Sequence, residues 1–224
     1  MNSIRFNREA LLHFYDDAQT AFFKLLSPKG HVSGITGLIG EELLLGMLCR
    51  YLRTCDGLHD VRILGDVPRQ QPPGRKKLDG WIVSKAPKRL FQVEVKNWSA
   101  HSLGGRNLPV SAGKDELTRE SNRRWNEYFG NGNHLPESAG KVLLEFNRPA
   151  GEENFAAEPV ICFWHPIAKQ GCDPMSTFTE ENRTLQIFSG SNFLRSIQDE
   201  YVDIDSPRLD QRLQLLNLLC ARRQ

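Results

Sequence analysis

The chain reads as a single α/β domain built on a mixed central sheet, and three observations predict it. Helical and extended patterns follow one another as helix, helix, strand, strand, strand, helix, strand, strand, with no internal repeat and no interdomain linker. At 224 residues and 39% hydrophobic content, the chain can bury a sizeable core. Within it, Leu78–Trp98 (LDGWIVSKAPKRLFQVEVKNW) reads as two apolar strands that nonetheless contain Asp79, Glu94 and Lys96. Burying such charges is unfavourable unless they are paired or hold a metal, so this stretch is the candidate active site.

Taken in order, Asn7 to Leu26 places Leu11, Phe14, Tyr15, Ala18, Phe22 and Leu25 on one side of a helix that Ser27-Pro28-Lys29-Gly30 ends. A second helix is expected from about Ser33 to Arg53, despite Gly34, Gly37, Gly40 and Gly46. Each glycine weakens a helix by roughly 1 kcal/mol relative to alanine, which close approach to a neighbouring surface can offset. Helix phase puts Glu41 on the stripe of Leu38, Leu45, Leu48 and Leu52, facing the core, and Glu42 with Gly46, Cys49 and Arg53 at an edge. A carboxylate on a core stripe is either accommodated locally by the early turns of the helix or belongs to a site.

Val61–Leu64 is a short strand, and Asp66 to Lys77 (DVPRQQPPGRKK) is a basic loop. The central strands follow at about Leu78–Ser84 and Leu90–Lys96, then a glycine- and serine-rich loop over Ser99–Gly113. Lys114 to Phe129 is a third helix, stopped by Gly130-Asn131-Gly132-Asn133. Lys141–Phe146 and Pro159–Trp164 read as strands, Leu185–Phe188 and Tyr201–Ile204 as shorter ones, and Asn192–Ile197 as a helix. Ser206-Pro207 opens a last helix whose leucines form a wide apolar surface, suited to core packing or to self-association.

A net charge of +2 does not by itself advertise nucleic acid. The basic residues are nonetheless concentrated between Arg62 and Lys96, against only Asp66, Asp79 and Glu94. Five scattered cysteines with no CxxC exclude a disulfide framework, and Cys162, His165 and Cys172 lack an evident fourth ligand for zinc. No apolar run spans a bilayer, and acidic residues interrupt the N-terminus early, so a cytoplasmic location is expected and no membrane partner.

If Ser84 and Arg89 close the turn around Ala86-Pro87, antiparallel register sets Asp79 opposite Glu94, with Cβ atoms about 5 Å apart. Lys96, two residues on, projects from the same face as Glu94. One ammonium cannot balance two carboxylates at that distance. Hard oxygen ligands then suit magnesium or manganese.

This arrangement resembles the PD-(D/E)XK, or restriction-endonuclease-like, nucleases. Their pattern is an acidic residue on one core strand and Glu-x-Lys on the next, often with a glutamate from the preceding helix. The matching residues here are Asp79, Glu94, Lys96 and Glu41, within a core of about residues 33–146. The N-terminal helix 7–26 and a C-terminal elaboration over 159–224 would flank that core in a single domain of residues 1–224. Asp79 follows Leu78 rather than proline. Arg124 stands where the exonuclease-helicase branch has the glutamine of its Gln-x-x-x-Tyr pattern, although Tyr128 is present.

The resemblance implies a restriction-endonuclease-like α/β fold, with a mixed sheet flanked by helices and extra C-terminal strands and helices. It implies a magnesium- or manganese-dependent deoxyribonuclease of the kind used in restriction or phage defence. Asp79, Glu94, the Val95 carbonyl and Glu41 would hold the metal, and Lys96 would orient water and stabilise charge on the phosphate. Arg75, Lys76 and Lys77 before the site, and Arg119, Arg123 and Arg124 on the next helix, would bind DNA. A separate protein could supply targeting. The alternative is a catalytically silent nuclease-fold module that binds nucleic acid or protein. A glycosidase using the two carboxylates leaves Lys96 and the basic loops unexplained.

Overall fold

The computed structural model describes residues 3–14, 29–64, 78–96, 141–166, 170–180 and 183–221, together with Asp115, Arg119 and Arg123. Its centre is a mixed six-stranded sheet of β2 (Arg62–Leu64), β3 (Gly80–Ser84), β4 (Arg89–Val95), β5 (Ala157–Phe163), β6 (Met175–Glu180) and β7 (Arg183–Ser189), in the spatial order β2-β3-β4-β5-β7-β6. The pairs β2–β3, β3–β4 and β6–β7 are antiparallel, whereas β4–β5 and β5–β7 are parallel. Thus β4 is the strand at which an antiparallel meander meets a parallel half.

Both faces of the central strands are covered, which is why they read as near-continuous apolar runs. Phe91, Val93 and Val95 point to one face and join Val160 and Cys162 in the main core; Leu90 and Ile161 point to the other, into two smaller clusters. The main core is built around α1 (Lys29–Thr54), buried at every position from Glu42 to Cys49. Two short helices close that side, α2 (Gly190–Ser196), capped by the Ser189 hydroxyl, and α3 (Pro207–Ala221). A separate two-stranded antiparallel sheet joins β1 (Ile4–Asn7) to β8 (Tyr201–Ile204). No described helix is long and apolar enough to cross a membrane.

Several expected elements differ. The segment Lys141–Phe146 is not a strand: Lys141–Leu143 forms a 3-10 turn, and the place beside β4 belongs to β5. The Gln92 side-chain amide donates to the carbonyls of Val142 (2.5 Å) and Leu144 (2.8 Å), so a side chain rather than a ladder satisfies that backbone. Residues 4–7, before the expected first helix, pair with β8 as β1. The helical residues begin at 8, with Asn7 Oδ1 accepting from the Ala10 amide at 3.0 Å. Helix α1 starts at Lys29, inside the expected break, and β6 was not expected at all. The loop 66–77 and most of the helix 114–129 lie outside the described residues; Asp115, Arg119 and Arg123 are helical.

Candidate active site

The suspected charges gather where β4 ends and β3 begins. The hairpin closes with Ser84 opposite Arg89, and its last ladder pair at the other end is Gly80 with Val93. One position further, Asp79 leaves the ladder and is bound to Val93 and Val95, on either side of Glu94. Its amide donates to the Val93 carbonyl at 3.2 Å, and its carboxylate Oδ2 accepts from the Val95 amide at 2.7 Å. Glu94 is fully buried and forms an ion pair through Oε1 with Lys96 Nζ. The Lys96 amide donates to the Cys162 carbonyl on β5 at 2.8 Å, fixing the chain just past the strand.

Glu41 reaches the same place from α1 and is half-buried. Burial raises its carboxyl above the usual range, and the negative charge of Asp79 raises it further, while Arg212 acts in opposition. Cys162, paired with Val95 across the parallel ladder, is fully buried. Its thiol is pushed well above the usual value, first by burial and then by the charges of Asp79 and Glu94, so it stays protonated. Asp79, Glu94 and Lys96 thus lie at one rim of the sheet, with Val95 donating its amide to Asp79 and Glu41 close enough to Asp79 to feel its charge.

Glu42 overturns the expectation that it lies at an edge. It is fully buried between α1 and α3. Its Oε2 accepts from the Ser206 hydroxyl, and Oε1 pairs with Arg208 Nε at 2.8 Å and Arg212 Nη1 at 3.3 Å. The error has a physical cause: with α1 buried all round from Glu42 to Cys49, no single stripe there is the core stripe. The face shared by Glu42, Gly46 and Cys49 is covered by β8 and α3. Arg208 also donates from Nη2 to the backbone carbonyl of Asp79 at 2.9 Å. Sequence reasoning missed both arginines because it read the last helix only for its leucines. Their i, i+4 spacing directly after Ser206-Pro207 was the available signal.

Among the basic residues assigned to DNA, Arg119 and Arg123 are helical and exposed, whereas Arg75, Lys76, Lys77 and Arg124 lie outside the described residues. Cys162 is buried and Cys172 exposed. Among the described residues no group of three or more His, Cys, Asp or Glu side chains is gathered to hold a metal. The chain matches no protein-family model, no curated protein and no solved structure.

Proposed function

We propose that this protein is a metal-dependent nuclease of the restriction-endonuclease-like kind, hydrolysing phosphodiester bonds in DNA. One observation carries the reading: the Asp79 carboxylate is held by the Val95 amide, next to the fully buried Glu94 and its ion-pair partner Lys96. Support also comes from the order α1, β2, β3, β4, the helical residues Asp115, Arg119 and Arg123, then β5. That is the order such a core would need.

Magnesium or manganese fits the donors in chemistry, since all are hard oxygens. Burial first, and then the Asp79 charge, raise the Glu41 carboxyl against the opposing charges of Arg212 and Arg208, so carboxylates are concentrated at this rim. Asp79, Glu94, the Val95 carbonyl and Glu41 would hold the ion. When bound, it would supply Lewis acidity, activating water and offsetting charge on the leaving oxygen.

The remaining tasks fall to the chain. The Val95 amide and the Val93 carbonyl fix Asp79, so its carboxylate needs little reorganisation. Lys96, mostly buried and held at Glu94, aligns the attacking water and stabilises charge on the phosphate. Exposed Arg119 and Arg123, with the basic stretch at Arg75, Lys76 and Lys77 and with Arg124, attract the DNA backbone.

The test is incubation with plasmid and linear DNA in magnesium or in EDTA. Cleavage should require the metal and fall by about 100-fold or more in Asp79→Ala and in Lys96→Ala. Unchanged cleavage in either variant sinks the assignment. DNA retention with no metal-dependent turnover would instead make the protein a silent binding module.

A further inference from the structure

We propose that Arg208, on the C-terminal helix α3, is a positioning residue for Asp79; the inference rests on the nuclease reading. Asp79 is the residue most in need of such support. It lies one position outside the β3–β4 ladder, and Gly80 behind it has no side chain. A Cβ at Gly80 would meet Leu45 Cδ2 of α1 at 2.8 Å, so the strand passes too close to the helix for a side chain to anchor it there. The Asp79 amide is held by Val93, and the Asp79 carbonyl accepts from Arg208 Nη2 at 2.9 Å.

Arg208 is kept there by charge. Its Nε lies 2.8 Å from Oε1 of Glu42, which is fully buried, accepts from the Ser206 hydroxyl and also pairs with Arg212. The length and planar shape of the guanidinium let Nη2 reach the Asp79 carbonyl while the group stays beside that carboxylate; an ammonium on a flexible stem does not hold both in fixed geometry. The residue next to Glu41 therefore anchors an arginine that clamps the main chain of Asp79. With both its amide and its carbonyl held, Asp79 aims its carboxylate at the Val95 amide, 2.7 Å away. In the reaction, Arg208 touches neither substrate nor metal; it acts through Asp79.

The Val95 amide reports this directly, without metal or DNA. Hydrogen exchange at Val95 in the labelled full chain should quicken about tenfold or more in Arg208→Lys. That variant keeps a positive charge beside Glu42, and its melting curve and spectral dispersion establish that it folds. Leu213→Ala, which loosens the same helix at its core contact and is no part of the Glu42–Arg208 anchor, should leave Val95 exchange within about threefold of wild type. In parallel, Arg208→Lys should lose kcat on DNA at unchanged KM and bind Mn2+ more weakly. Wild-type Val95 exchange in Arg208→Lys overturns the proposal. Equal acceleration in Leu213→Ala also overturns it, by reducing the effect to general loosening. Failure of the wild-type protein to cleave DNA is a separate result: it removes the nuclease reading, while the exchange comparison still decides whether Arg208 positions Asp79.

Discussion

Asp60 has no part in chemistry, yet the pairing of the charged residues depends on it. Its carboxylate accepts from the Ser84 hydroxyl and the Lys85 amide, both at 2.6 Å, and from the Ala86 amide at 3.1 Å. These bonds hold the turn whose closure sets Ser84 against Arg89 and Gly80 against Val93, and so bring Asp79 to the end of β4 that carries Glu94. The Ser84 hydrogen bond, aided by the two amides, lowers the Asp60 carboxyl below its ordinary value of 3.8. A lowered folded value means stability that is present above the ordinary value and lost as pH falls through the lowered one. Asp60→Ala should therefore melt below wild type at neutral pH, with the gap closing between about pH 5 and about pH 2. Thermal melts across that range check it; a gap independent of pH would show that the carboxylate charge is not what matters. At this scale the sequence was an uneven guide. The register was readable because a polar turn separates two apolar runs. Helix phase set Glu41 on the core stripe and Glu42 at an edge, yet Glu42 is the fully buried one, with surroundings that come from residues more than 160 positions away.

Among the elements, α1 shows why glycines were retained in a long buried helix. At Gly46 an added Cβ would lie 2.3 Å from Ile204 Cγ2, so β8 crosses the helix at a distance only glycine permits. Alanine would gain roughly 1 kcal/mol in helix propensity. Against that gain, overpacking a close contact typically costs about 1–3 kcal/mol. Gly46→Ala should thus be destabilising on balance, and denaturant unfolding should show part of the loss recovered in Gly46→Ala/Ile204→Ala. Strands buried on both faces, such as β4 and β5, announce themselves by apolar runs. The edge strand β6 (MSTFTE) has only Met175 and Phe178 as apolar residues and carries no such signal. Lys141–Phe146 has the composition of a strand but lies against the sheet face, where Gln92 takes up its carbonyls. Composition reports burial, and only tertiary pairing decides whether a buried segment joins the ladder.

Across the whole molecule, the main core runs from Leu11 to Leu209, and β1 pairs with β8, so the C-terminal strands and helices share the core that carries Glu41 and Glu42. Stability and the site are then linked. If the carboxylates bind a divalent ion, free Mg2+ or Mn2+ at 100 times its Kd should stabilise the fold by about 2.7 kcal/mol. Melting curves with and without metal should separate for wild type and coincide for Asp79→Asn. The change of direction at β4 has one more consequence. Because β3 runs opposite to β4 and β5 runs with it, the chain entering at Leu78, leaving at Lys96 and leaving at Phe163 all passes over the same rim. Three chain passages, at Leu78, Lys96 and Phe163, thus meet at one rim, while at the other end β3 and β4 are joined by the short turn Lys85–Lys88. If the protein is the nuclease proposed above, changes in the chain beyond those three points can alter substrate preference without breaking a strand pairing.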